Sequence, residues 1–168
     1  MLNKKFGLIG GALVLVALTA MGATFVNGND SDSTEPTTTV VTKPAITVYK
    51  DPNCGCCKAW GEYLEDNGFV VNVVATSNMN EIKQKYGVPR QAQSCHTAVI
   101  DGRVIEGHVP ADDIKAYLDK PVFNTKGLAV PGMVQGSPGM ETGRKDNYSV
   151  ITFSENGQTS VFREHMNY

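Results

Sequence analysis

The sequence predicts an α/β domain that begins with a β-α-β unit and ends with a β-hairpin. A strand pattern, a helical pattern and a second strand pattern follow one another between residues 45 and 74. Further along, two alternating apolar runs are each divided by a dipeptide typical of hairpin turns, Asp101-Gly102 and Asn156-Gly157. A chain of 168 residues has room for one such domain with extensions.

The domain is predicted between residues 44 and 121, and its first half can be assigned from periodicity. The run "AITVYK" alternates apolar and polar residues and predicts the first strand. A helix is expected next, because Cys57, Trp60 and Leu64 share one face at helical spacing. The Val-rich run "FVVNVV" predicts a second, well-buried strand, and "NMNEIKQKYG" predicts a short helix.

The second half of the domain is predicted to be a hairpin followed by a helix. "TAVIDGRVIEG" divides into two antiparallel strands, and Pro110 suits the first turn of a following helix. The predicted order is therefore β-α-β-(α)-β-β-α. Residues 122–146 contain too much Gly and Pro for regular structure and are predicted to be a Gly/Pro/Met-rich loop. Residues 147–168 are predicted to form a C-terminal β-hairpin packed on the domain.

The N-terminal segment indicates export. Residues 1–26 combine Lys4 and Lys5 with an apolar run and small residues, as in a signal peptide or an N-terminal anchor. A Ser/Thr-rich linker is predicted at 27–43. The protein is expected in the periplasm, soluble after cleavage or held by this segment, which would be its sole contact with a membrane. A net charge of −2 argues against nucleic acid as a partner.

The predicted order is similar to the thioredoxin and glutaredoxin fold. In that fold a Cys-x-x-Cys pair lies where the first strand meets the first helix, and Cys54 and Cys57 have this spacing and place. The resemblance also implies that Cys95 and His96, just before the third strand, lie beside the pair. His96 stands where glutaredoxin-like proteins usually have a cis-proline. Because this chain lacks that proline, disulfide exchange is disfavoured and a metal site is favoured.

The cysteines and a neighbouring imidazole predict a site for a soft metal. Cys54, Cys56, Cys57, Cys95 and His96 suit Cu(I), Zn(II) or an iron–sulfur cluster. Closed zinc sites usually use two short Cys-x-x-Cys motifs, whereas this chain has one crowded motif and a single distant cysteine. Adjacent Cys56 and Cys57 cannot both easily bind one ion, but they could bind neighbouring ions that share thiolates. A polynuclear Cu(I) site is therefore favoured over zinc.

Two other interpretations of the cysteines remain open. Cys54 and Cys57 could be the catalytic pair of a thiol–disulfide oxidoreductase, because a helix N-terminus favours thiolate. The four cysteines could also form structural disulfides in an exported domain.

Accessory ligands are predicted outside the cysteines. Met133 and Met140 lie seven residues apart in the Gly/Pro loop, and thioethers are soft ligands for Cu(I). The alternative is that both methionines fill gaps in the core. The loop glycines would let the backbone lie close over the site. His108, at the end of the fourth strand, is a candidate ligand or supporting residue.

Three stretches together resemble the CopG family of exported, thioredoxin-like proteins associated with bacterial copper resistance. They are "YKDPNCGCCKAW", "SCHTAVIDGRVIEGHVPADDI" and "KGLAVPGMVQGSPGME". The resemblance implies a copper cluster held by Cys54, Cys56, Cys57 and Cys95, and interconversion of Cu(I) and Cu(II).

Three functions follow from these residues. The leading one is an exported copper-binding protein of copper resistance. The second is a periplasmic thiol–disulfide oxidoreductase that uses Cys54 and Cys57. The third is a module that passes copper to a periplasmic carrier or an efflux system. The sequence thus leaves open an enzyme, a store or a carrier.

Overall fold

A computed structural model describes residues 42–166 of the chain. The predicted signal segment, most of the predicted linker and the last two residues lie outside this part. Within it the strands and α-helices follow the order β1 (Ala45–Lys50), α1 (Gly55–Asp66), β2 (Val70–Ala75), α2 (Met79–Lys85), β3 (Thr97–Ile100), β4 (Arg103–Glu106), α3 (Ala111–Asp119), β5 (Gly127–Ala129), β6 (Tyr148–Phe153) and β7 (Thr159–His165), with a 3₁₀ turn at Arg90–Ala92. The predicted order β-α-β-(α)-β-β-α is confirmed for the first seven of these elements.

All seven strands form one mixed sheet in the order β2-β1-β3-β4-β5-β6-β7. The pairs β1–β2 and β4–β5 are parallel, and the other neighbours are antiparallel. Asp101 and Gly102 both have positive φ, as a two-residue hairpin turn requires, and they join β3 to β4. The mixed α/β architecture is thus the predicted one.

The main core lies between the sheet and helices α1 and α3. Trp60 and Leu64 of α1 and Ile114 and Tyr117 of α3 are fully buried in it. Cys57 shares the buried face of α1, as the helical spacing predicts. Gly68 has a φ of 89° one residue beyond the C-cap of α1, so it ends this helix in the left-handed conformation.

The prediction that the second strand is well buried is wrong. Strand β2 lies at one edge of the sheet, and Val70, Val73 and Val74 are each more than 40% exposed. Val71 is the residue of this strand that packs against the core. A run rich in Val is typical of strands covered on both faces, but here the run forms an edge strand.

The prediction that residues 122–146 contain no regular structure is wrong at β5. Strand β5 lies between β4 and β6 and is completely buried. Three residues are too few to show a period-2 pattern, so this strand could not be predicted from the sequence. Gly127 is required there: a Cβ atom at this position would lie 1.9 Å from the carbonyl oxygen of Val104.

The C-terminal hairpin continues the sheet through β5. It is also tied to α3, because the buried carboxylate of Asp113 lies 2.9 Å from Nη1 of Arg163 and 2.7 Å from Nε2 of His165. Asp113 lies in the first turn of α3, where a negative charge also suits the helix dipole. No helix within residues 42–166 is long and apolar enough to cross a membrane.

Candidate metal centre

The Cys-x-Cys-Cys motif lies at the start of α1, after the turn that follows β1. Cys54 is the N-cap of the helix, and its sulfur accepts a hydrogen bond of 3.3 Å from the backbone N–H of Cys57. Cys57 is in the first turn and is 1% exposed, whereas Cys54 and Cys56 are half-buried. The helix therefore presents three sulfurs from one short segment.

Four sulfurs form what we call the thiolate group: Cys54, Cys56, Cys57 and Cys95. These sulfurs all lie within 4.8 Å of one another. Cys54 and Cys57 form a disulfide, with Cα atoms 5.4 Å apart, while Cys56 and Cys95 are free thiols. The sulfurs of Cys54 and Cys56 are 3.5 Å apart. Reduction of the disulfide would make four thiols available in one place.

Cys95 also belongs to a second set of donors, the Cys–His group, which consists of Cys95, His96 and His108. The Cys95 sulfur lies 3.3 Å from Nδ1 of His96 and 3.1 Å from Nε2 of His108. One sulfur is therefore shared by the two groups.

The tautomer of His108 follows from its second nitrogen. Nδ1 lies 2.8 Å from the carbonyl oxygen of Pro138. A carbonyl can only accept, so Nδ1 carries the proton and Nε2 directs a lone pair toward Cys95. Metal-binding histidines commonly donate their other N–H to a carbonyl in this way. His108 is thus oriented to bind a metal or to accept a thiol proton.

His96 is fully buried between aromatic rings. Its ring centroid lies 4.4 Å from that of Trp60 and 5.0 Å from that of His108. Within residues 42–166 its Nε2 has no hydrogen-bond partner. Burial, together with nearby His108 and Lys83, lowers the pKa of His96 well below its usual value. The imidazole is therefore neutral at pH 7, which is the form that binds metals.

The Cys–His group carries no charge in the metal-free protein. Burial, together with the neighbouring Cys56, raises the pKa of the Cys95 thiol to about 12. Burial also lowers the pKa of His108, although the hydrogen bond to Pro138 opposes this shift. A metal that binds at Cys95 must therefore displace a proton, and its affinity should rise with pH.

In the form with the Cys54–Cys57 disulfide, we expect the Cys95 thiol to be protected from alkylation. At pH 8, iodoacetamide should modify Cys95 about 1,000-fold more slowly in the folded protein than in urea, because a pKa near 12 leaves little thiolate. Peptide mass spectrometry would follow Cys95 separately from Cys56. Equal rates in the folded and unfolded protein would contradict the raised pKa.

The loop after β5 passes close to the start of α1. A Cβ atom at Gly139 would lie 2.8 Å from the backbone nitrogen of Trp60 and 2.9 Å from the carbonyl oxygen of Cys56. The φ of Gly139 is 80°, which also favours glycine. This contact, together with the bond from His108 to Pro138, confirms that the loop backbone lies close over the site.

The structure brings together all the predicted cysteines, His96 and His108. The two predicted methionines differ: Met140 is buried directly after Gly139, whereas Met133 is 48% exposed. The role of each as a ligand stays a prediction.

Two elements of this region were not predicted from the sequence. The Pro138 carbonyl is a backbone group and leaves no signal in residue identity. The second is the buried pair Lys83 and Glu106, and Glu106 accepts a hydrogen bond from the backbone N–H of Ser94, the residue before Cys95. The sequence signal for this pair is the acidic residue that ends the strand "RVIE", directly after two apolar residues.

Residues 92–140 match a family described as protein of unknown function, DUF411. No curated protein matches the chain. Two solved structures of copper resistance protein copG, named form 1 and form 2, are each 49% identical to it with a TM-score of 0.68. Each match covers 73% of this chain and 98% of the copG chain. The chain therefore belongs to the CopG family.

Proposed function

We propose that this protein is an exported copper-binding protein of copper resistance that takes up Cu(I) through its cysteines. The observation that carries the proposal is the thiolate group, four sulfurs within 4.8 Å of one another. Thiolates are soft ligands that select Cu(I), and a bridging thiolate can serve two ions. The names of the copG relatives support copper resistance as the context. Export rests on the predicted N-terminal signal.

The disulfide supports the further proposal that uptake depends on the redox state of the protein. Two electrons and two protons convert the Cys54–Cys57 disulfide to two thiols, and metal binding then displaces the thiol protons. The oxidised protein would keep the thiols of Cys56 and Cys95 and the imidazoles of His96 and His108 as its free donors. We propose that the reduced protein is the form that binds copper through the whole thiolate group.

The Cys–His group supports a role for imidazole in the same site. His108 is oriented by Pro138, and neutral His96 has a buried nitrogen without a partner. We propose that both rings complete the coordination of copper bound at Cys95. The nitrogen donors would also suit Cu(II), which is consistent with interconversion of the two oxidation states.

A Cu(I) titration tests this function. The purified protein would be reduced without oxygen and titrated against a competing chelator, and copper per chain would be counted after desalting. We expect more than one tightly bound copper per chain, and fewer in Cys56→Ala. Lys58→Ala is the matched control on α1, because Lys58 is exposed and pairs with Glu62.

The second candidate function is a thiol–disulfide oxidoreductase, which the Cys54–Cys57 disulfide favours. In this case Cys54 would be the attacking thiol and Cys57 the buried resolving thiol. Cys54→Ser would abolish turnover, whereas Cys56→Ser would have a mild effect. An absence of tightly bound copper, combined with rapid cycling of this disulfide, would favour the oxidoreductase over the copper-binding protein.

A further inference from the structure

A buried ion pair contacts the residues that flank Cys95 and His96. Lys83 of α2 and Glu106 of β4 have side chains that are 7% and 0% exposed, and Nζ lies 2.5 Å from Oε1. Neither residue belongs to the thiolate group or the Cys–His group. Burial raises the pKa of the Glu106 carboxyl, while the Lys83 ammonium opposes this shift.

The Glu106 carboxylate uses both of its oxygens. Oε1 accepts a hydrogen bond of 2.7 Å from the backbone N–H of Ser94, in addition to the contact with Lys83. Oε2 accepts a hydrogen bond of 2.7 Å from the Thr97 hydroxyl. Lys83 also donates to this hydroxyl at 3.2 Å. Four groups are therefore held by one buried network.

These contacts enclose the segment that carries Cys95 and His96. Ser94 precedes the segment and Thr97 follows it, so the carboxylate holds both of its ends. Glu106 itself lies two residues before His108. The backbone N–H of Gly107 donates to the carbonyl of His96 at 3.0 Å, which joins the two strands at this point. All three members of the Cys–His group are thus positioned around Glu106.

Stability alone is a poor reason to bury this pair. Removing two charges from water is costly, and replacing a buried ion pair by apolar side chains of similar volume is often neutral or stabilising. Residues that orient metal ligands are different, because their loss commonly weakens metal binding. The location of the pair therefore favours a role in orientation.

We propose that Glu106 is a positioning residue that holds Cys95, His96 and His108 against the sulfurs of α1, and that Lys83 is the counter-ion that makes its burial possible. The copper consequence of this inference rests on the proposed function. The position of Cys95 does not, and it can be measured without metal.

The metal-free measurement is disulfide trapping. Cys56 and Cys95 are free thiols whose sulfurs lie within 4.8 Å of each other. Diamide, a diazene oxidant, joins two such thiols by taking two electrons and two protons, and is itself reduced to a hydrazine. Peptide mass spectrometry would measure the rate at which the Cys56–Cys95 bond forms. This rate reports how closely Cys95 is held to α1.

Two double variants separate orientation from stability. Lys83→Met with Glu106→Leu removes the whole network, and we expect trapping to slow at least about tenfold and Cu(I) affinity to fall about 10- to 100-fold. Lys83→Met with Glu106→Gln keeps an acceptor for the Ser94 N–H. This variant should therefore recover most of the trapping rate and most of the Cu(I) affinity. Circular dichroism and thermal unfolding would show that the variants fold.

Asp113→Asn is the matched control. It disrupts the other buried carboxylate network, which involves Arg163 and His165. We expect Asp113→Asn to lower the unfolding temperature while trapping and Cu(I) affinity stay at wild-type values. If the role of Glu106 were purely structural, Lys83→Met/Glu106→Leu would also lower the unfolding temperature and leave trapping and Cu(I) affinity at wild-type values.

Wild-type trapping in a folded Lys83→Met/Glu106→Leu protein would overturn the proposal. If this variant is unfolded, Glu106→Asp decides, because a side chain shorter by one methylene keeps its charge but cannot hold Ser94 and Thr97 together. Slower trapping in Glu106→Asp would support the proposal, and an unchanged rate would overturn it. Failure of the wild-type protein to bind Cu(I) would instead overturn the proposed function, with trapping still deciding the role of Glu106.

Discussion

Replacement of Cys95 by serine is expected to cause the largest loss of copper binding of any single substitution. The Cys95 sulfur is the one donor shared by the thiolate group and the Cys–His group, so Cys95→Ser affects both at once. A hydroxyl is a hard ligand that binds Cu(I) poorly. We expect the affinity for Cu(I) to fall at least about 100-fold, beyond the usual effect of a supporting residue. The number of copper ions per chain should also fall.

Chelator competition and metal counting would measure both effects of Cys95→Ser. Serine is close to cysteine in size, so the free energy of unfolding of the metal-free variant should stay near that of the wild type. His108→Gln provides a comparison, because it removes a donor from the Cys–His group and leaves the four sulfurs in place. An affinity in Cys95→Ser equal to that of the wild type would show that the copper site does not include Cys95.

Gly127→Ala is expected to have the largest effect on stability. A Cβ atom at this position would lie 1.9 Å from the Val104 carbonyl oxygen and 2.9 Å from Cζ of Phe153. Strand β5 would have to separate from β4 or β6, and both contacts are buried. We expect the free energy of unfolding to fall by about 3 kcal/mol or more.

Urea unfolding, followed by the fluorescence of the single tryptophan Trp60, would measure the effect of Gly127→Ala. Gly61→Ala is the matched control, since a Cβ there would have ordinary contact with Val71 at 3.7 Å. Alanine in a helix interior should stabilise the protein by about 0.5–1 kcal/mol. A Gly127→Ala midpoint equal to that of the wild type would show that β5 tolerates a side chain.

The local parts of the candidate site could be predicted from the sequence. The placement of Cys54 at the N-terminus of α1 depends on a strand and a helix that are adjacent in the chain. Each has its own periodicity, and the helical spacing of Trp60 and Leu64 predicts the buried face correctly. The approach of Cys95 also followed, because the predicted order of elements is that of a known fold.

The features that the sequence did not predict depend on distant partners. The exposure of β2 reflects its place at the edge of the sheet, which its apolar residues do not encode. The role of His108 depends on a carbonyl 30 residues further along the chain. The network of Lys83 and Glu106 joins residues 23 positions apart. Period and spacing describe one segment at a time and carry no information about such pairs.

The late position of β5 in the chain has a consequence for the order of folding. Residues 44–121 leave the ribosome before β5 does, so their β-α-β contacts can form during synthesis before β5 is available to pair with β4. Until residues 127–139 arrive, the edge of β4 is open, His108 lacks its Pro138 partner and Gly139 does not cover the start of α1. During this interval the cysteines would be more accessible to oxidants and metal ions than they are in the folded protein. The last segments to fold would therefore determine when the sulfurs stop reacting freely with their surroundings.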